Sequence, residues 1–254
     1  MRLKLFDVQK LTEKERKDFS SRFLELMNED YINQPADYIE SVFFSKQLSL
    51  SKGCLLIDEA DEIQGFQIIS SFPINIGANR FVVIRSIVQK SKSLKHKHRS
   101  FEKFGPYTLV KQALIATIKG RKPWLIATSE GPAVYHRMSA YFKNIIPSPN
   151  MGNSPQDSII KSYNALAKEL GFQLDPHYKF SIRQEHRLIV SEEERRSWLQ
   201  RTEPAIQRYF AECPEFGKGQ KLLFAVPLNL KTIFSIPITL LNQLLIKRMR
   251  SNKG

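Results

Sequence analysis

The run Phe81-Val82-Val83-Ile84-Arg85-Ser86-Ile87-Val88 constrains this chain more than any other stretch. β-Branched side chains crowd the preceding turn of a helix but pack well on a pleated sheet, so the run reads as a strand. Its apolar character is nearly continuous rather than alternating, which predicts a central strand buried on both faces.

The elements around it follow from spacing and punctuation. Residues 1–10 carry Leu3, Leu5 and Val8 as the apolar points of a first strand. Thr12 and Glu15 stand three apart, as a capping box requires, and open a helix with a stripe through Phe19, Phe23 and Met27. A second helix is expected after Pro35. Gly53–Asp58 and Ile63–Ile74 then form a hairpin about the acidic turn Glu59–Glu62. Beyond the central strand comes a basic loop, with Lys90, Lys92, Lys95, Lys97, Arg99 and Lys103 against Glu102. Gly105-Pro106 ends that loop, and a helix follows, with Pro106 in its first turn. Trp124–Thr128 reads as a strand, and Pro132 opens a helix through Phe142. Further helices are expected over Ser154–Leu170 and, interrupted near Pro204, over Ser191–Phe210. A short strand lies between them at Tyr178–Ile182. From Lys221 an apolar segment leads to a basic tail.

Composition limits the function classes. With 42% apolar residues the 254-residue chain can bury a sizeable core, which excludes general disorder. A net charge of +14 predicts attraction to anions: nucleic acid, an acidic membrane face or phosphorylated small molecules. Cys54 and Cys213 are too few for a disulfide framework and read as buried thiols. His96 and His98 lack a third ligand and sit among cations, so no metal is expected. The first residues lack a secretory apolar run, and no uncharged run of about 18 apolar residues occurs. A cytoplasmic protein is therefore expected.

Strand, two helices, hairpin, central strand, basic loop entering a helix, then strand and helix is an order that resembles the GCN5-related N-acetyltransferase (GNAT) superfamily. Two places carry the resemblance. One is Ile84-Arg85-Ser86-Ile87-Val88 leading through Arg99–Tyr107; the other is Ile126-Ala127-Thr128-Ser129-Glu130-Gly131-Pro132-Ala133-Val134-Tyr135. It implies an α/β fold: a mixed, mostly antiparallel sheet flanked by helices over residues 1–190. Residues 191–254 would form a helical, basic C-terminal extension packed on the same domain.

The resemblance also implies a ligand. Acetyl-CoA or another acyl-CoA would lie where the central strand feeds the helix, its thioester oriented by backbone at Ser86, Ile87 and Val88. Its phosphates would meet Arg99, Lys103 and the helix start at Gly105 and Tyr107, where backbone N–H groups converge. The family loop, Arg/Gln-x-x-Gly-x-Gly/Ala, is altered here: counted from Arg99, its small positions hold Glu102 and Phe104. Tyr135 occupies the place of a phenol that protonates the departing thiolate; a half-buried core tyrosine is the alternative. Glu130 is either a base for the amine or an exposed turn carboxylate.

The expected activity is acyl transfer from CoA to an amine on a small molecule or protein. The rival is a binding module of the same fold that holds nucleic acid or an anionic membrane on its basic surface. Ile233, Ile236, Leu240, Leu241, Leu244 and Leu245 recur at helical spacing before the cationic end, so this stripe either packs on the core or lies on a membrane.

Overall fold

In a computed structural model the described residues are 1–43, 50–94, 104–150 and 156–236. They form β1 (Arg2–Asp7), α1 (Glu13–Asn28), β2 (Tyr31–Ile32), α2 (Tyr38–Phe43), β3 (Leu50–Ile57), β4 (Ile63–Ile76) and β5 (Asn79–Lys90). There follow α3 (Phe104–Ile118), β6 (Lys122–Ser129), α4 (Pro132–Tyr141), α5 (Asp157–Glu169), β7 (Ser181–Arg183) and β8 (Arg187–Leu188). The chain continues through α6 (Glu192–Leu199), α7 (Pro204–Glu212) and β9 (Gln220–Pro227). Arg99 and Lys103, the His96/His98 pair and the tail beyond Ile236 lie outside the described residues.

Seven strands make one sheet in the order β1-β3-β4-β5-β6-β9-β7. Every neighbouring pair is antiparallel except β5 and β6, which run parallel, as expected for strands joined through a crossover helix. The fold is thus the mixed, mostly antiparallel sheet flanked by helices that the order of elements implied. One part differs. Residues 220–227, read as part of an extension, form β9, an interior strand paired with β6 on one side and β7 on the other. The segment after residue 190 therefore completes the sheet.

Local chemistry accounts for the element ends. The Thr12 hydroxyl accepts from Glu15 N, and the Glu15 carboxylate accepts from Thr12 N at 2.8 Å, closing the capping box of α1. Pro132 and Pro204 start α4 and α7, where a missing N–H costs nothing.

Among the described residues two large apolar clusters and a small one around Cys54, Leu56 and Leu94 meet at the sheet. α1 and α2 cover one face of β3 and β4, with Phe23 stacked on Phe66 at 4.0 Å between ring centroids. The larger cluster gathers α3, α4, α5 and α7 on β5, β6 and β9. Ile233 and Ile236 are buried in it, so the described start of the C-terminal stripe packs on the core. Cys54 and Cys213 are free, buried thiols.

Candidate active site at the parting of two strands

β5 and β6 pair only from Phe81 with Lys122 to Ile84 with Leu125, and then part. β5 continues along β4 to Lys90, while β6 continues along β9 to Ser129. Burial changes at the same point: Phe81–Ile84 are buried, Arg85, Ser86 and Ile87 are half-buried, and Val88 is 50% exposed. The expectation of burial on both faces holds only for the first half of the run. Past Ile84, the edge of β5 that faced β6 has no strand neighbour among the described residues. Unpaired strand-edge N–H and C=O groups are what an extended ligand uses.

Register assigns the faces. Residues paired across an antiparallel ladder share a face. Ile87 and Gln89 oppose Ile68 and Phe66, which belong to the α1/α2 cluster, so Arg85, Ile87 and Gln89 point to that face. Ser86 and Val88 point to the other, together with Gln67. There the start of α3 is seated: Gly105 rests on the Gln67 amide, and a side chain at this position would overlap Gln67 Nε2. Pro106, in the first described turn of α3, has no N–H to offer, and Tyr107 is 69% exposed.

A cluster of polar side chains occupies the α1/α2 face of the parting. Glu130 follows Ser129, whose partner is Leu222, and thereby comes opposite Lys221 of β9. Lys221 Nζ lies 2.9 Å from Glu130 Oε2, and the lysine side chain is only 1% exposed. Burial raises the Glu130 pKa despite the pull of Lys221, and burial lowers that of Lys221. Glu130 is thus a half-buried, ion-paired carboxylate and not an exposed turn residue.

The two-residue ladder of β2 with β8, and the bond from Ile189 N to Asp30 O at 2.7 Å, tie the α1–α2 connection to the segment after β7. That tie brings Tyr31 and His186 to the cluster. Tyr31, Tyr38 and Tyr209 all feel the Glu130 charge, and each phenol is held above its ordinary range, first by burial. The His186 ring lies 5.2 Å from that of Tyr38; burial, then Lys221, pushes its pKa down to about 4. The Arg85 guanidinium stands over the Phe172 ring at 5.3 Å and interacts electrostatically with Tyr38. Among the described residues no carboxylate pairs with it.

Tyr135 is not brought to this cluster. It is fully buried, and its hydroxyl donates to the Pro147 carbonyl at 2.6 Å beside Phe224. Burial raises its pKa. Of the expected ligand-binding positions, Ser86, Ile87 and Val88 line the open edge of β5, and Gly105 and Tyr107 stand at the start of α3. Sequence reasoning missed Arg85, Tyr31, Tyr38, His186 and Lys221. A signal existed for two of them: Arg85 and Lys221 are lone charges in or beside apolar strand runs.

No protein-family model matches the sequence, and no curated relative matches it. Among solved structures, the chain is similar to a GNAT family N-acetyltransferase from Escherichia coli in complex with CoA. The identity is 12% over 54% of this chain and 67% of that one, with a TM-score of 0.36. It is also similar to a GCN5-related N-acetyltransferase from Kribbella flavida, at 11% identity over 89% of this chain and 98% of that one, with a TM-score of 0.35. A ribosomal-protein-alanine N-acetyltransferase from Brucella melitensis is similar at 10% identity over 69% and 94%, with a TM-score of 0.29. The strand order, its single parallel contact and the parting beside that contact are this chain's own: a mixed, mostly antiparallel sheet flanked by helices, the architecture that the order of its elements implied.

Proposed function

We propose that the chain transfers an acyl group from acyl-CoA to an amine. The observation that carries this reading is the parting of β5 from β6 after Ile84 and Leu125, which opens a strand edge beside a half-buried, ion-paired carboxylate. The pantetheine arm extends along the free edge of β5 at Ser86–Val88. The phosphates lie toward the start of α3 at Gly105 and Tyr107, with Arg99 and Lys103 preceding it in sequence. The amine enters from the α1/α2 face, and Glu130 accepts its proton as the nitrogen attacks the thioester carbonyl carbon. The C–S bond then breaks. The departing thiolate has a reference pKa near ~8.5 and is protonated from solvent, so no buried phenol is needed. Tyr135 holds the turn at Pro147 in this scheme. Localisation in the cytoplasm agrees with the CoA requirement.

Glu130→Gln is the test. We expect acetyl-CoA to raise the melting temperature of both proteins, because the thioester site does not include the carboxylate. Turnover with an amine panel should fall by about 10²–10⁴-fold in the variant, mostly in kcat. Equal rates would remove Glu130 from the chemistry. Binding of acetyl-CoA with no turnover on any amine would replace the transferase by the binding-module reading.

A further inference from the structure

Resting on the transfer reading above, we propose that the acceptor amine carries a carboxylate, which Arg85 grips at the closed end of the parting while Glu130 receives the amino group. Arg85 is the first residue past the last β5–β6 pair, and register directs it to the face that holds Glu130.

Among the described residues, the surroundings of Arg85 offer it no anion. Its partner across the ladder is Ser70, and the Ser70 hydroxyl is engaged with that of Ser51 at 2.7 Å. Phe172 presents a ring face, and Tyr38 a phenol that burial keeps protonated. Glu130, the carboxylate of the cluster, is taken by Lys221 at 2.9 Å. Asp30 accepts from Gln89 Nε2 at 2.8 Å. A half-buried guanidinium without a counter-charge is unfavourable for folding, so packing does not account for it. A ligand does.

The chemistry of that ligand follows from the group. A guanidinium presents a planar fork that matches the two oxygens of a carboxylate. Lys221 is already neutralised, so among the described residues of the cluster one unmatched charge remains, which suits a monoanion better than a phosphate dianion. A carboxylate can also come from a dicarboxylic acyl group on the CoA. The shared face of Arg85 and Glu130, opposite the start of α3, favours the acceptor.

The test uses the full chain, acetyl-CoA, the standard amino acids and their carboxamides. We expect at least one amino acid to exceed its amide by about 100-fold in kcat/KM, chiefly through KM. Arg85→Gln should bring that ratio close to one, and Arg85→Lys, which keeps charge without the fork, should leave an intermediate ratio. A parallel arm replaces acetyl-CoA by succinyl-CoA. A preference for succinyl-CoA that disappears in Arg85→Gln would assign the carboxylate to the donor and overturn the proposal. A ratio near one in the wild type, or unchanged in Arg85→Gln, overturns it too. If no amine is acylated, the transfer reading fails by itself. Calorimetric titration of the same amino acids without CoA then decides: Arg85-dependent binding keeps the carboxylate site, and its absence removes it.

Discussion

Lys221 and Arg85 are both cations that strands carry inward, and only Lys221 meets a carboxylate. Their removal should therefore act in opposite directions. Lys221→Met leaves the half-buried Glu130 unpaired, and we expect urea unfolding to show a loss of about 2–4 kcal/mol. Arg85→Met removes an unmatched charge and should leave stability unchanged or raise it by about 0.5–2 kcal/mol, the stability–function trade typical of binding sites. His186 gives a pH dependence. Its pKa is depressed in the folded state, from 6.5 to about 4, so the unfolded chain binds more protons between those values. Stability should thus fall as pH drops through this window, by on the order of 3 kcal/mol, and His186→Phe should flatten the dependence in equilibrium unfolding. For Tyr135→Phe, loss of the bond to Pro147 should cost about 1–3 kcal/mol while kcat changes little. A large fall in kcat at unchanged stability would return Tyr135 to the mechanism.

At the scale of elements, legibility followed the range of the determining interaction. The capping box, the prolines that start α4 and α7, and the β-branched half of β5 are written in neighbouring residues, and each stands where sequence pattern places it. β9 was harder to read. A lysine in its second position argues against an interior strand until Glu130, distant in sequence, is seen to answer it. β2 and β8 have two residues each, too few for any periodicity, yet their pairing assembles the cluster from far-apart segments. Glu130 was legible as a candidate; its burial was not, because the groups that bury it come from β2, α2, α7 and β9. A chain ended after Glu212 would lack β9 and expose the edges of β6 and β7. We expect it to show no cooperative unfolding transition by circular dichroism, whereas an independently folding unit over 1–190 would retain one.

Over the whole molecule, the parting of two strands lies within a chain of net charge +14. Attraction of a polyanionic cofactor to such a surface is screened by salt. The sheet is also closed out of order. β6 acquires its antiparallel neighbour from the last described strand, with α4, α5, β7, β8, α6 and α7 made in between. During synthesis at about 5–20 residues per second, the edge of β6 therefore waits for on the order of 5–20 s before β9 can be delivered. Throughout that interval an apolar strand edge is open to any passing extended segment. The nascent protein is a template before it is a sheet, and its yield in the cell should depend on how well that edge is chaperoned.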